Sequence, residues 1–399
     1  MKRIGILIER ERAWGRLLCE GVADYAQSCG DWSLVMLERE DLRRADRLKA
    51  FDGFLARVAT AEIASRFAAV GKPVADLSCE RQLAGVFARG VEQDNLAIGQ
   101  LAARHFIEHR FAHFAFCGYD GKRFSDERRE AFVRCLKLNR FACSCYAAPR
   151  AAVRSFDESV SRHERLSAGA DAARLRDWLR RLPRPCAVFC ANDLRSYQLL
   201  QACRAAGLAV PTDIAILGVD NDSLVCNFTT PTLSSIDPDA FALGRSAAAC
   251  LDRMLSHPDA PAAKPQRIGP RELVVRASSE TYPLDPPWLS DALVYIRRNV
   301  VRHISAADVY AHLGRSHTRV NAIFRERLGS TVQKEIRAAQ LAEAERLLKA
   351  TALPLSEIAK RAGFASPQYF CNVYSAAFGR PPSAARRPSA CRARRPSAR

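Results

Sequence analysis

The chain has 399 residues, 48% hydrophobic and 26% charged, with a formal net charge of +18. That is enough apolar sequence for large buried cores in two or three domains, and it excludes a disordered or collagen-like chain. No apolar run approaches the roughly 18 residues of a membrane span, and charges such as Glu9, Arg10, Glu11 and Arg12 interrupt the start, so the expectation is a soluble cytoplasmic protein without an export signal.

Residues 4–8 form a continuous apolar run bounded by charges, the pattern of a buried parallel strand, and the stretch from Trp14 to Ala26 places Leu18, Val22 and Tyr25 on one helical face. Further strands are expected at 33–37, 53–56, 73–76, 113–117, 186–190 and 214–219, with helical segments between most of them. Strand and helix alternating to about residue 280 predict an α/β domain with a doubly wound parallel sheet. In such sheets ligands bind beyond the carboxyl ends of the strands. That rule singles out Arg16, Arg128, the pair Asn192-Asp193 and the run Asp220-Asn221-Asp222. Carboxylates, amides and guanidinium groups placed there can make paired hydrogen bonds to adjacent hydroxyls, which suits a sugar, while helix capping is the plainer alternative for Asn and Asp.

Fourteen cysteines are scattered from Cys19 to Cys391, and neither Cys143 with Cys145 nor Cys186 with Cys190 has zinc-site spacing, so all are read as reduced thiols. His105, His109 and His113 are spaced by four and read as a surface helix running into a strand, not as a metal site. Phosphate-loop, dinucleotide, nucleophile-elbow and zinc-protease patterns do not occur, so neither catalysis nor a cofactor is expected.

Residues 51–56, 71–76, 91–95, 113–118 and 211–222 resemble, in order, the ligand-binding domain of LacI-type regulators and periplasmic sugar-binding proteins, and residues 230–236 resemble that fold's crossing back to its first lobe. The resemblance implies two lobes that close on a sugar, with contacts at Arg16, Arg128, Asp193 and Asp220 and further candidates at Asn192 and Asp94.

Pro265, Pro270, Pro283, Pro286 and Pro287 mark the end of this effector domain at about residue 280, and 281–288 reads as a linker. From Pro283 onward Lys and Arg number 20 against 8 Asp and Glu, which places two thirds of the net charge in the last 117 residues. A basic end on a nearly balanced larger part suggests a polyanion-binding module. Helices are expected there at 289–300, 306–313, 316–327, 332–349, 355–362 and 367–377. The run from Val309 to Gly314, followed by Val320, Phe324 and Gly329, recurs as Ile358 to Gly363, followed by Phe370, Tyr374 and Gly379. Each copy is a short helix, a glycine turn and a second helix, which is a helix-turn-helix. The helix between them would span about 27 Å, enough to hold two recognition helices near the ~34 Å spacing of successive major grooves.

Leu313-Gly314-Arg315-Ser316, Ile323-Phe324-Arg325, the run from Ile336 to Leu348 and the run from Leu355 to Phe370 are similar to the AraC-type DNA-binding domain, here at 289–387. The likeness implies base contacts from Thr318, Asn321, Gln368, Tyr369 and Asn372, and phosphate contacts at the helix starts Ser316, His317 and Ser366. For Tyr369 a core position is the alternative. Ala322 stands where that family often carries Arg, and Pro382-Ser383-Ala384-Ala385-Arg386 lacks the family's aromatic anchor, so the last helix is expected to be loosely packed. Residues 388–399 read as a basic disordered tail. A LacI-like sugar sensor upstream of an AraC-type reader is the layout of the xylose-operon regulator family. It implies a sugar-responsive transcription regulator, more an activator than a repressor, with xylose or a related pentose as effector. The implied partners are operator DNA, RNA polymerase and a second copy of the chain. Two other classes, a sugar receptor outside the cytoplasm and an α/β enzyme with a DNA-binding appendage, are opposed by the helix-turn-helix pair and by the missing catalytic motifs.

Overall fold

The computed structural model describes residues 1–58, 60–78, 88–119, 121–148, 170–258 and 265–386, so the expected tail at 388–399 lies outside it. The chain divides into two compact units, Met1–Glu280 and Thr281–Arg399.

The first unit opens as strand and helix in alternation: β1 (Lys2–Leu7), α1 (Ala13–Cys29), β2 (Trp32–Met36), α2 (Ala45–Lys49), β3 (Gly53–Ala56), α3 (Ala61–Val70), β4 (Val74–Asp76) and β5 (Ala88–Gln93). It continues with α4 (Asn95–Glu108), β6 (His113–Tyr119), α5 (Arg123–Leu138), β7 (Cys143–Ala148), α6 (Ala170–Arg181), β8 (Cys186–Cys190), α7 (Asp193–Ala205), β9 (Ile214–Val219), α8 (Ser223–Asn227) and β10 (Ser234–Asp237), then α9 (Ala240–Ser256), β11 (Gln266–Ile268) and β12 (Glu272–Val274). These strands build two sheets, ordered β2-β1-β3-β4-β5-β11 and β7-β6-β8-β9-β10-β12. The pairings are parallel except that β12 runs antiparallel to β10. Strands β3, β8 and β9 are buried along their whole length, as apolar runs covered by helices on both faces must be.

Each sheet has its own core, so the unit has two lobes. Ile98, Ala102 and Phe106 of α4 pack with Phe116, Phe189 and Leu217 in the second lobe. Leu243, Ala247 and Leu251 of α9 pack with Ile4, Leu18 and Val22 in the first. The chain therefore crosses between lobes after β5, after β10 and between β11 and β12.

One expectation for this unit changes. His105 and His109 are buried, not on a surface helix: the inner face of α4 carries His105 and His109 caps its end, His105 Nε2 lies 3.1 Å from Ser279 Oγ, and His109 Nδ1 lies 2.7 Å from the His105 carbonyl. Of the three histidines only His113, which opens β6, is exposed. The twelve described cysteines are free thiols. Among the described residues no helix is long and apolar enough to cross a membrane.

The second unit is helical: α10 (Pro287–Asn299), α11 (Ala306–Leu313), α12 (His317–Leu328), α13 (Val332–Ala350), α14 (Leu355–Arg361) and α15 (Pro367–Phe378). It has two small cores. Leu289, Leu293, Val309, Val320, Phe324 and Ile336 form one, and Leu347, Leu348, Ile358, Phe364, Phe370 and Tyr374 form the other. The repeated apolar positions of the two copies are thus the inward ones, and α13 contributes to both cores. Residues 281–288 are not a free linker: Tyr282 is buried in the first of these cores, and Pro287 sits at the first helical position, where its missing N–H costs nothing. The end of the domain is not loosely packed either. Pro382–Ala385 forms a 3-10 turn with Pro382 and Ala385 buried, and the Arg386 guanidinium donates to the Leu353 carbonyl. Small side chains let the turn itself approach α13 where a tyrosine would otherwise fill space.

Candidate functional site

A cleft of about 690 Å³, counted out to its open mouth, lies at the carboxyl ends of the strands in the first unit. The first lobe supplies Arg12 from the loop before α1, Trp14 from the first turn of α1, Arg57 after β3, Ser78 after β4 and Gln93 at the end of β5. The second lobe supplies Asn95, Phe124 and Arg128 from α4 and α5, Asn192 after β8 and Asp220 after β9.

The loop before α1 is shaped by two features. The Arg16 guanidinium turns back to donate to the carbonyls of Arg10 and Glu11, at 3.1 and 2.9 Å. Gly15 lets that loop lie on the first turn of α1, since a Cβ there would stand 1.7 Å from the Glu9 carbonyl oxygen. Arg12 and Trp14 are thereby presented to the cleft. The Arg57 guanidinium lies 5.4 Å from the Trp14 ring and pairs with Glu9 at 3.3 Å. Opposite, Arg128 is buried, donating from Nε to Asn95 Oδ1 at 2.9 Å and from Nη1 to the Ala191 carbonyl, beside the Phe124 ring. Asn192 caps α7: its Oδ1 accepts from Arg195 N at 3.0 Å and from the Tyr119 hydroxyl at 3.3 Å, which leaves its amide nitrogen to a ligand. Gln93 Nε2 donates to the carbonyls of Pro238 and Ile268, whereas its buried Oε1 has no partner.

Asp220 has φ of 113° and the next residue, Asn221, 48°. Both are left-handed without glycine, a strained arrangement that the surroundings must hold. Here Asp220 N donates to the Ile236 carbonyl, Asn221 N to Ser235 Oγ and Arg276 Nη2 to Asn221 Oδ1. Burial pushes the Asp220 carboxyl up to about 6, against the pull of Arg128, Arg12 and Arg57, which all act on it. Asp193 lies beneath it, fully buried. It accepts from Ser235 Oγ at 2.6 Å, Asp222 N at 2.9 Å and Cys226 Sγ at 3.4 Å, and Gly218 makes room, since a Cβ there would stand 2.2 Å from Asp193 Oδ1. Burial, then the charge of Asp220, raises Asp193 to about 8.

In the second unit the two recognition helices α12 and α15 each turn one face outward. His317, Thr318, Arg319 and Ala322 are exposed on α12, and Gln368, Tyr369 and Asn372 on α15. Ser366 caps α15, accepting from Tyr369 N at 3.2 Å, while Ser316 at the start of α12 makes no side-chain cap bond. Tyr369 is 45% exposed, but its ring lies 4.7 Å from the Arg337 guanidinium and its hydroxyl accepts from Arg337. The Asn321 amide nitrogen donates to the Tyr310 hydroxyl at 2.6 Å and to the His317 carbonyl at 3.1 Å, so this side chain braces α12 against α11.

Residues 103–279 match the periplasmic binding protein-like domain family and residues 309–388 a helix-turn-helix domain family. The xylose operon regulatory protein of Escherichia coli strain K12 is 28% identical over 390 residues, covering 95% of each chain. That of Haemophilus influenzae is 25% identical over 383 residues, covering 94% of this chain and 96% of the other. A solved structure of a xylose-binding transcription activator aligns with a TM-score of 0.59 at 26% identity, over 96% of this chain and 97% of that one. Over nearly its whole length the chain is similar to xylose operon regulatory proteins, with a periplasmic binding protein-like domain ahead of a helix-turn-helix domain. It is a sugar-responsive, DNA-binding regulator of transcription.

The cleft brings together three of the six sugar-site candidates, Arg128, Asn192 and Asp220. Arg16 shapes the loop instead of lining the cleft. Asp94 caps α4, accepting from Ala97 N at 3.0 Å, and Asp193 is the floor beneath Asp220. The reading from sequence missed Arg12, Arg57, Ser78 and Gln93, although the last three also stand at strand ends. Asp193 has a measurable consequence. Its folded pKa lies above the unfolded value, so the native state holds a proton that the unfolded chain releases, and stability falls as pH rises until the folded pKa is passed. Between pH 6.5 and 8 the first unit should lose stability by at most roughly 1 kcal/mol per pH unit. Asp193→Asn, measured by calorimetry, should flatten that slope; an unchanged slope would remove Asp193 as its source.

Proposed function

We propose that a monosaccharide, xylose or a related pentose in keeping with the relatives' names, binds the cleft between Arg12, Arg57 and Gln93 of the first lobe and Arg128, Asn192 and Asp220 of the second. Closure of the lobes is then the signal. The observation that carries this reading is polar groups from both lobes converging on one space, with Gln93 Oε1 buried and without a donor. The lobes already touch at the mouth, where Asp222 Oδ2 accepts from Ala13 N at 3.2 Å. The signal raises transcription through contact with RNA polymerase, and the regulator acts as a homodimer; the activator named among the solved relatives supports the sign. A thermal-shift series on the full chain with D-xylose, L-arabinose, D-ribose and D-glucose tests the effector. A sugar at 100 times its Kd should add about 2.7 kcal/mol to the first transition. No shift with any sugar would overturn the reading.

On DNA, α12 and α15 read two major-groove segments, through Thr318 in one and Gln368, Tyr369 and Asn372 in the other, with phosphate contacts at Ser316, His317 and Ser366. The helix α13, 19 residues and about 28 Å long, is the spacer. Gln368→Ala should relax preference in one half of the site by about 1–3 kcal/mol and leave the other unchanged. An insertion of about half a helical turn, ~5 bp, between the halves should prevent one chain from protecting both. Footprinting checks each; full protection of the lengthened site would contradict the rigid spacer.

A further inference from the structure

The segment that leaves the first unit is stitched to the strands that end at the cleft. Ile216 N of β9 donates to the Ser278 carbonyl at 2.7 Å, Ser278 N donates to the Thr232 carbonyl at 2.9 Å, and the Ser278 hydroxyl donates to the Ile216 carbonyl while accepting from Ser234 N of β10. Ser279 Oγ donates to Ser234 Oγ at 2.8 Å and lies 3.1 Å from His105 Nε2. Both serines are fully buried, and the second unit begins at Thr281. Sliding this segment over the strands would break several buried hydrogen bonds at once, so it moves with β9 and β10.

Arg276 joins the same segment to the turn that carries Asp220. Its backbone N–H donates to Ser234 Oγ at 2.8 Å, Nη1 to the Leu233 carbonyl at 2.9 Å and Nη2 to Asn221 Oδ1 at 2.8 Å. One side chain thus reaches from the residue after the cleft carboxylate to the segment that enters the second unit. The turn is where a ligand's pull would be felt: Asp220 lines the cleft, Asn221 follows it, and both hold positive φ, 113° and 48°. A turn strained in this way and held by a few hydrogen bonds changes conformation more readily than the strands beside it, because release of the strain offsets part of the cost. A guanidinium suits the link, since its rigid fork of N–H donors engages two acceptors at once and so passes on an orientation as well as a distance.

We propose that Arg276 is the positioning residue that passes sugar occupancy from Asp220, through Asn221, to residues 276–280 and so to the chain entering the DNA-binding unit. This rests on the cleft being the effector site, and deepens that reading by naming the side chain that carries the response out of it.

The full-length parent, Arg276→Met and Asn221→Gly test it. Methionine keeps much of the bulk without the donors, and glycine accepts the positive φ at position 221 while removing the side-chain acceptor. The sugar is whichever of D-xylose, L-arabinose, D-ribose and D-glucose gives the parent its largest thermal shift, and the DNA is a promoter fragment that the parent protects. For each protein, the Kd for DNA is measured by anisotropy with and without saturating sugar, and the Kd for sugar by calorimetry with and without DNA. The two ratios should agree, because coupling between sites is reciprocal. In the parent the ratio is expected to be about fivefold or more, and in both variants to fall below about twofold, with each Kd measured alone staying within about threefold of the parent's. A residue that only supports the fold would lower the melting temperature and leave the ratio as it is. Retention of the parent's ratio in either variant would overturn the inference and leave the cleft standing as the sugar site. Loss of sugar binding itself in Asn221→Gly would also overturn it, by making the turn part of the binding machinery. A parent whose ratio is one would overturn the sugar response and this inference together.

Discussion

Replacing Arg128 with alanine is expected to abolish the sugar response of the full-length chain while leaving both units folded. The guanidinium is buried at the back of the cleft, bonded to Asn95 Oδ1 and the Ala191 carbonyl, and is placed to reach a bound sugar from the second lobe. Its loss leaves those acceptors, and the sugar hydroxyls it would have met, unpaired in a closing cleft. Truncation of this kind costs about 2–5 kcal/mol of affinity, or roughly thirty-fold to several thousand-fold. A thermal-shift titration of parent and variant over the same sugar range reads the effect directly. A variant that shifts like the parent would show that the cleft assignment is wrong.

Phe370→Ala should have the largest effect on the second unit. The ring is fully buried, 5.1 Å from Phe364 and 5.7 Å from Tyr374, in a core assembled from α13, α14, α15, the turn between the last two and the final 3-10 turn. A cavity of that size costs about 3–5 kcal/mol, a large share of what so small a core can supply. Helix α15 should then lose its seat, taking Gln368 and Asn372 off the DNA, while Phe324 and the first core keep α12 in place. Circular dichroism melts should show a weakened helical transition, and footprints should retain only the half read by α12. Sugar binding by the first unit should be unchanged. Retention of both halves would mean that the two cores are not separable.

Strands such as β3, β8 and β9 were legible because burial on both faces demands unbroken apolar runs. The strands β5, β7, β10, β11 and β12 were not. β7, Cys-Ser-Cys-Tyr-Ala-Ala, is an edge strand of small and polar residues, and β11 and β12 are three residues each with charged members. Their pairing comes from neighbouring strands, so little in their own composition marks them. The helical half was more readable. Its repeat placed Val309, Val320 and Phe324, and again Ile358, Phe370 and Tyr374, on inward faces that the fold confirms.

The cleft shows both the reach of strand-end reasoning and its resolution. Asn192 and Asp220 stand where the rule places them, and the same rule applied to β3, β4 and β5 would have found Arg57, Ser78 and Gln93. Near β1 the choice among Arg10, Arg12 and Arg16 depends on how a short loop folds back. Arg16 closes that loop on its carbonyls, and Arg12, one helical turn earlier, faces the ligand space. Asp193 follows Asn192 directly, yet the first turn of α7 directs it under the floor, where it receives a hydroxyl, a thiol and a backbone N–H instead of a sugar. Asn321 lay on the expected helix, but the hydroxyl of Tyr310, on the preceding helix, captures its amide.

The measurement closest to the central claim is the coupling between cleft and DNA. Full-length protein and a promoter fragment that it protects would be titrated with and without the effector, in the parent, in Arg128→Ala and in Asp220→Asn, following occupancy by fluorescence anisotropy. The account predicts that the sugar changes occupancy or footprint in the parent, that neither variant responds, and that all three bind the fragment equally well without sugar. A response in either variant equal to that of the parent would contradict it.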